Sequence, residues 1–117
     1  MTTTVLATSD GAIVCERCSI AASPLTRLRG LLGRSSLPSG EGILLRPASS
    51  VHTGFMRFAI DVVFLDRDLN VLRVVERLTP WRAAARRKAH AVLELPAGEC
   101  ARRGLREGDR LELGSDS

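Results

Sequence analysis

The chain has 117 residues, of which 44% are hydrophobic, and its formal net charge is +4. This length and apolar content predict one domain over residues 1–117, ordered from about residue 3 to 113, with a short flexible acidic tail, and they exclude a disordered chain. No apolar run approaches the roughly 18 residues of a membrane span, and the first residues lack the basic and apolar regions of a secretory signal. We therefore expect no membrane contact and a soluble cytoplasmic protein, exported only if a leader has been removed.

The first predicted element is a hairpin of two strands, TTVLATS and AIVCERCSIA, joined at Asp10-Gly11. Asp-Gly favours a two-residue turn because both residues accept positive φ. A helix then begins, with Ser23 as its N-cap and Pro24 in the first helical position. Its leucines fall on one face, and Gly33 ends it.

Cys15 and Cys18 form a C-x-x-C spacing, which occurs in metal and redox sites. On a strand, residues three apart point to opposite faces, so we expect the two sulfurs to diverge. Cys100 is isolated, and the two histidines do not occur at ligand spacing. The cysteines are therefore interpreted as free structural thiols, and neither a metal nor a cofactor is predicted.

The second half contains further predicted strands at ILLRP, DVVFLD, VLRVVE, AHAVLEL and GDRLEL. DVVFLD is apolar on both faces and forms a hairpin with VLRVVE across residues 67–70. A short helix in AGECARR places Ala97, Cys100 and Ala101 inward, with Gly104 as its cap. Six or seven mostly antiparallel strands and two short helices predict an α+β fold built on a small, partly open β-barrel.

Three blocks in order resemble the prokaryotic family known as domain of unknown function 192, namely RLRGLLGRSSLPSGEGILL, HTGFMRFAIDVVFLD and VLELPAGECARRGLREGDRL. The resemblance covers roughly residues 12–113 and implies a small α+β protein built on a β-barrel, in a family without an assigned biochemical role. The family pattern falls on Gly30, Leu31, Gly33, Arg34, Gly42, His52, Met56, Arg57, Asp61, Leu95, Pro96, Ala97, Gly98, Gly108 and Asp109. Two positions depart from it. Ala59 replaces a common Pro and Leu69 a common Gly, so Asn70 is expected to carry the left-handed conformation of that loop.

The candidate site lies in the second of these blocks, where polar residues precede the most apolar strand. His52 is the side chain that exchanges protons most readily near neutral pH, and a carboxylate such as Asp61 would fix its tautomer. Arg57, with Arg34, could hold a carboxylate or phosphate through paired hydrogen bonds, and Thr53 completes the group. The alternative is architectural, because a buried Asp61 would have to find arginine or backbone donors even without a function.

Trp81, the chain's single tryptophan, lies in a basic segment. The positive residues around it are Arg77, Arg82, Arg86, Arg87 and Lys88. Its ring could stack on a sugar or a base, or it could plug the open end of a barrel. Trp81 therefore joins the candidate ligand-binding residues.

Three functions are consistent with these residues, and we favour the first. It is a non-enzymatic, monomeric binding module for a small polar or anionic ligand, such as a sugar or carboxylate, at a rim formed by His52, Arg57 and Asp61. The second is a hydrolase-like or lyase-like enzyme with His52 as a base oriented by Asp61, which requires a hydrogen bond between them in a concave pocket. The third is docking of the basic segment to an acidic protein partner or to nucleic acid, although the absence of tyrosine argues against nucleic acid.

Overall fold

The elements follow the predicted strand-rich order in a computed structural model that describes residues 2–22, 36–54 and 56–114. The strands are β1 (Thr2–Thr8), β2 (Ile13–Ala21), β3 (Glu41–Leu45), β4 (Ser50–His52), β5 (Ile60–Leu65), β6 (Val71–Leu78), β7 (Ala83–Ala85), β8 (Ala91–Pro96) and β9 (Leu111–Leu113), and the helix is α1 (Glu99–Arg102). The predicted helix beginning at Ser23, Arg34 and the end of the tail lie outside the described residues. Within those ranges, no helix has the length and apolar character needed to cross a membrane.

Seven strands form one sheet in the order β6-β5-β8-β3-β2-β1-β9, and β4 pairs with β7 in a separate two-stranded sheet. Every pair is antiparallel except β2 with β3. The outer strands β6 and β9 meet only at one end, through a bridge between Asn70 and Arg110. The sheet is therefore not closed into the predicted barrel, and the fold is β-dominated α+β with one short helix in the described part of the chain.

The predicted first hairpin is present, but its turn differs from the expected one. Thr8 N–H donates to the Ala12 carbonyl at 2.8 Å, which leaves three residues, 9–11, in the loop. Gly11 has φ 97, whereas Asp10 is outside the left-handed region. The Asp10 carboxylate instead accepts hydrogen bonds from the Thr8 hydroxyl and the Ala12 N–H. These contacts hold a turn followed by one left-handed glycine, the usual three-residue hairpin loop.

A β-bulge in β2 overturns the expectation that the two sulfurs of the C-x-x-C pair diverge. Thr4 faces Cys18 and Leu6 faces Cys15, so two steps on β1 oppose three steps on β2. Glu16 and the residue after it are exposed, while both cysteines are buried in the same core cluster. The extra residue of a bulge resets the alternation of side chains, and the two cysteines therefore share the core face.

The core lies on both faces of the sheet, as expected for the predicted doubly buried strand. Every residue of β5 is buried, with Val63 and Leu65 in one apolar cluster and Val62 and Phe64 in the other. Burial of each such side chain contributes about 1.5–3 kcal/mol. β5 and β8 pair over six residues at the centre of this arrangement. The buried pair of β5 and β8 therefore separates the two apolar clusters.

Helix α1 is a single turn, and its inward face differs from the predicted one. Cys100 is buried as expected, but Ala101 is exposed and Ala97 is only half-buried, while Glu99 is buried. The Glu99 carboxylate is ion-paired with Arg102 and Arg103 at 2.7 and 3.2 Å. A buried carboxylate with cationic partners is a contact that apolar periodicity does not reveal.

The loop between β5 and β6 places Leu69, rather than Asn70, in the left-handed region, with φ 65. Asn70 cannot turn freely, because its backbone N–H and its side-chain amide both donate to the Asp66 carboxylate. The Leu69 side chain packs against the core cluster. The left-handed conformation of Leu69 costs about 1–2 kcal/mol of conformational energy. The Asn70–Asp66 hydrogen bonds and the packing of Leu69 offset that cost.

Candidate functional site

The two-stranded sheet of β4 and β7 forms the floor of a groove of about 450 Å³. Its pairs are Ser50 with Ala85, Val51 with Ala84 and His52 with Ala83, and these six residues line the groove. Three consecutive alanines in β7 leave the groove open above its floor, because methyl groups do not fill the space that larger side chains would occupy. The groove therefore owes its shape to the run AAA of β7.

His52, which lines this groove, and Trp81 both lie next to Gly54. A Cβ on Gly54 would lie 3.4 Å from His52 Nδ1 and 3.6 Å from Cζ3 of the Trp81 ring. The Trp81 side chain is 68% exposed, and its backbone is left-handed with φ 63. An exposed indole in a strained backbone is unusual, and such outliers concentrate at binding sites. His52, Gly54, Trp81 and the groove of β4 and β7 together form the candidate site.

Thr53 lies beneath this site rather than on its surface, because it is completely buried. Its hydroxyl donates to the Thr79 carbonyl at 2.6 Å and accepts from the Arg82 N–H at 2.9 Å. Its carbonyl accepts from the Trp81 N–H at 3.1 Å. Thr53 therefore holds the turn that presents Trp81, and its hydroxyl is engaged in these backbone contacts.

Asp61 is also completely buried, on β5. Its Oδ1 accepts from the Arg77 N–H at 2.9 Å and from the Gly98 N–H at 3.1 Å, and its Oδ2 accepts from the Cys100 N–H at 2.9 Å. The carboxylate thus joins the end of β6 to the beginning of α1, whose free N–H groups need acceptors. These are the backbone donors of the architectural interpretation, and the residue does not reach the surface where a ligand would bind.

The nearby thiol of Cys100 is affected by the same carboxylate. Burial, reinforced by the Asp61 charge, raises the pKa of the Cys100 thiol. This thiol is therefore protonated at neutral pH and unsuited to nucleophilic attack. In the described part of the chain, no group of three His, Cys, Asp or Glu side chains could hold a metal ion.

Two arginines, Arg34 and Arg57, are predicted ligand-binding residues, and only one of them lies in the described part of the chain. Arg57 is exposed, and Arg34 lies outside the described residues. Arg82 and Arg86, which directly flank β7, are exposed at the two ends of the groove floor. From the sequence, Arg82 and Arg86 are predicted only as members of a basic segment. Their spacing around a run of three small residues is the signal that would have placed them at a groove.

A second cleft, of about 410 Å³, lies between the β1–β2 hairpin and residues 103–110 and shares no residue with the groove. Arg103, which lines it, is ion-paired with Glu16 at 2.7 Å and with Glu99 at 3.2 Å, and it donates to the Ile13 carbonyl at 3.0 Å. The guanidinium is therefore occupied by structural contacts. The groove beside Trp81 is the better candidate, because it combines small side chains with an exposed aromatic ring.

Known proteins resemble this chain in sequence and in fold. A UPF0127 protein of Pyrococcus furiosus is 42% identical over 65 residues, which are 55% of each chain, so the match spans about half of that relative. A structure from Sinorhizobium meliloti 1021, provisionally described as a transcription regulator, has a TM-score of 0.80 at 25% identity, over 95% of this chain and 92% of that one. A protein of unknown function from Novosphingobium aromaticivorans shares the fold, with a TM-score of 0.78 at 22% identity over 95% of this chain and 84% of its own. The pattern of the DUF192 family, described as Uncharacterized ACR, matches residues 5–113, and the chain therefore belongs to that family.

Proposed function

We propose that the protein is a non-enzymatic binding module whose site is the groove of β4 and β7 beside His52 and Trp81. The observation that carries this proposal is the exposure of Trp81, a residue that is 68% exposed next to a groove of about 450 Å³. An exposed indole leaves apolar surface in water, and its left-handed backbone adds strain. The buried Thr53 network maintains this arrangement, which is expected where the ring contacts a ligand.

The chemistry of the groove favours a small anionic ligand with an apolar face. The indole can stack on the C–H face of a sugar, and the imidazole of His52 can exchange hydrogen bonds with its hydroxyl groups. The positive charges of Arg82 and Arg86 at the two ends of β7 would attract a carboxylate or phosphate. A sugar acid combines these features, and Arg57 is a further cation for it.

Binding is favoured over the enzyme alternative by the position of Asp61. In that alternative the Asp61 carboxylate orients His52, but here both carboxylate oxygens accept hydrogen bonds from the backbone. Asp61 then supports the fold beneath the site. The rim of the proposed binding site consists of His52, Trp81 and the exposed arginines.

The test uses the intrinsic fluorescence of Trp81, since the chain has one Trp and no Tyr. Galacturonate and its uncharged counterpart galactose are titrated separately into the protein, and the melting temperature provides a second readout. We expect galacturonate to change the Trp81 emission and raise the melting temperature, and galactose to have a much weaker effect. His52→Ala and Arg82→Ala should abolish the response, while His90→Ala and Arg87→Ala, which neither line the groove nor directly adjoin β7, should retain it.

The proposal is wrong if neither galacturonate nor glucose 6-phosphate at millimolar concentration changes the emission or the melting temperature of the wild-type protein. It is also wrong if the response survives in both His52→Ala and Arg82→Ala. In either case the groove does not bind small sugar anions.

A second candidate function, docking to nucleic acid, is favoured by the basic segment at residues 77–88. Its five positive side chains are exposed, and it contains no acidic residue. The description of the Sinorhizobium meliloti structure as a transcription regulator is consistent with this candidate. With only a four-residue helix in the described part of the chain, contacts to phosphates are expected rather than readout of base edges. Anisotropy of a labelled duplex should then show binding that does not depend on sequence and that weakens steeply between 50 and 200 mM salt, by up to about 500-fold if all five positive side chains contact phosphates.

A further inference from the structure

The C-x-x-C pair of β2 is brought together by the bulge described above. Cys15 and Cys18 face Leu6 and Thr4, which are two residues apart on β1. Two steps along a strand span about 6.6–6.8 Å, which is the upper end of the Cα separation found in disulfides. Both side chains are completely buried on the same face of the sheet. The backbone therefore places the two thiols within bridging reach, which a regular strand would not do.

The proximity of the two thiols shifts their pKa values in opposite directions. A hydrogen bond between the Cys15 and Cys18 side chains lowers the pKa of the Cys15 thiol, and the same contact raises that of Cys18. The direction follows from the donor, because a thiol that donates to a neighbouring sulfur stabilises the neighbour's thiolate. Of the pair, Cys15 is thus the thiol that ionises more readily.

Gly42, which has no side chain, leaves room in the core for the Cys15 sulfur. A Cβ on Gly42 would lie 2.9 Å from Cys15 Sγ and 2.9 Å from Leu95 Cδ2, closer than real Cβ contacts allow. The Cys15 thiol also lies 3.4 Å from the Gly40 carbonyl, to which it donates. The missing side chain at Gly42 is what allows this sulfur to occupy the core face beside Cys18.

We propose that Cys15 and Cys18 form an oxidative modification site, which a peroxide-class oxidant converts into an intramolecular disulfide. The Cys15 thiolate attacks one peroxide oxygen, the O–O bond breaks, and water leaves once the departing oxygen is protonated. When β1 opens locally from β2, burial no longer raises the pKa of the Cys18 thiol, and its sulfur attacks the Cys15 sulfenic acid. The S–S bond forms, and the Cys18 proton leaves with the sulfenic hydroxyl as a second water. Two thiols are oxidised and one peroxide is reduced to two waters.

A disulfide suits this position better than a bound metal ion. The described residues supply no third ligand, so a metal ion held by these two thiolates alone would lack the four ligands that a structural site requires. A disulfide is neutral and can remain buried. Both sulfurs are buried while β1 is paired with β2, so the oxidant has to enter during local opening of β1 from β2. We therefore expect oxidation over minutes to hours rather than seconds.

Peptide mapping gives a direct test, because Arg17 lies between the two cysteines. The folded protein is treated with hydrogen peroxide, alkylated and digested with trypsin without reduction. We expect an intact mass loss of about 2 Da, two of the three thiols protected from alkylation, and the peptide ending at Arg17 linked to the peptide beginning at Cys18. Cys100, in a separate tryptic peptide, should remain free.

Variants provide the control. Cys100→Ser should keep the linked peptides, while Cys15→Ser and Cys18→Ser should each abolish them. The proposal is overturned if Cys100 is found in the bridge, if the cysteines are recovered only as free thiols or as sulfinic acids, or if the linked pair appears only after peroxide treatment in 8 M urea. The wild-type map answers the question even if a serine variant does not fold.

Discussion

Replacing Asp61 with Asn tests whether this buried carboxylate holds the fold together. Asn retains one carbonyl oxygen, which can accept from the Arg77 and Gly98 N–H groups as Oδ1 does. It puts an NH₂ group where Oδ2 accepts from Cys100, so one buried N–H loses its acceptor and faces another donor. The flipped amide would be more destabilising, because its NH₂ group would then face two donors, the Arg77 and Gly98 N–H groups.

The magnitude follows from these three contacts. An unsatisfied buried N–H costs about 1–3 kcal/mol, and changing a charged acceptor to a neutral one weakens each remaining bond by about 1 kcal/mol. We therefore expect Asp61→Asn to lower the free energy of unfolding by about 3–5 kcal/mol, which corresponds to roughly 12–20 °C in melting temperature for a domain of this size.

Urea unfolding followed by circular dichroism measures this change. Asp61→Ala should cost more, because it orphans all three donors. Asp68→Asn, at an exposed loop carboxylate, is the matched control and should change stability by less than about 0.5 kcal/mol. A loss below about 1 kcal/mol in Asp61→Asn would refute the view that Asp61 organises β6 and α1.

Three further predictions concern Glu99, Leu69 and Gly42. Hydrogen bonds from Arg102, Gly40 and Ser39 and the charge of Arg103 lower the pKa of Glu99 from 4.5 to about 2. This carboxylate therefore contributes its full stability, about 2–3 kcal/mol, above pH 4.5 and loses it as the pH falls towards 2. Urea midpoints should show that loss in the wild-type protein and much less of it in Glu99→Gln. Leu69→Val should cost about 1–2 kcal/mol, because a β-branched residue tolerates φ 65 poorly, and an unchanged midpoint would contradict this. Gly42→Ala should lower the free energy of unfolding by about 1–3 kcal/mol through overpacking. Adding Cys15→Ala removes the sulfur that the new methyl group would contact, so the double variant should lose less stability than the sum of the two single variants. Additive losses would place the clash elsewhere.

Local pattern was enough to predict the parts of the fold that depend on neighbours in the chain. The hairpin of β1 and β2 and that of β5 and β6 follow from runs of strand-forming residues separated by turn residues. The burial of β5 on both faces follows from its unbroken apolar sequence. These features require no knowledge of which distant segments meet.

Apart from the two loop conformations at residues 9–11 and 66–70, which local contacts set, the missed features depend on pairing between segments. The bulge that unites Cys15 and Cys18 exists only in the register of β2 against β1, and β4 pairs with β7 across an intervening hairpin of the main sheet. The inward position of Glu99 needs the turn at Ser39 and Gly40, about 60 positions earlier in the chain. No periodicity within one segment carries this information.

The candidate site shows the same division between local and distant information. The block HTGFMRFAID contains four polar residues that the sequence favours as members of a functional site. In the structure, two of them are buried and two are exposed. Thr53 and Asp61 are buried and bind backbone groups, so that Thr53 fixes the turn of Trp81 and Asp61 fixes the ends of β6 and α1. His52 and Arg57 remain at the surface. A polar residue beside a core strand is therefore as readily a support for a site as part of one. In this protein the support is encoded in the block, whereas the aromatic ring that it supports is encoded about 28 residues later.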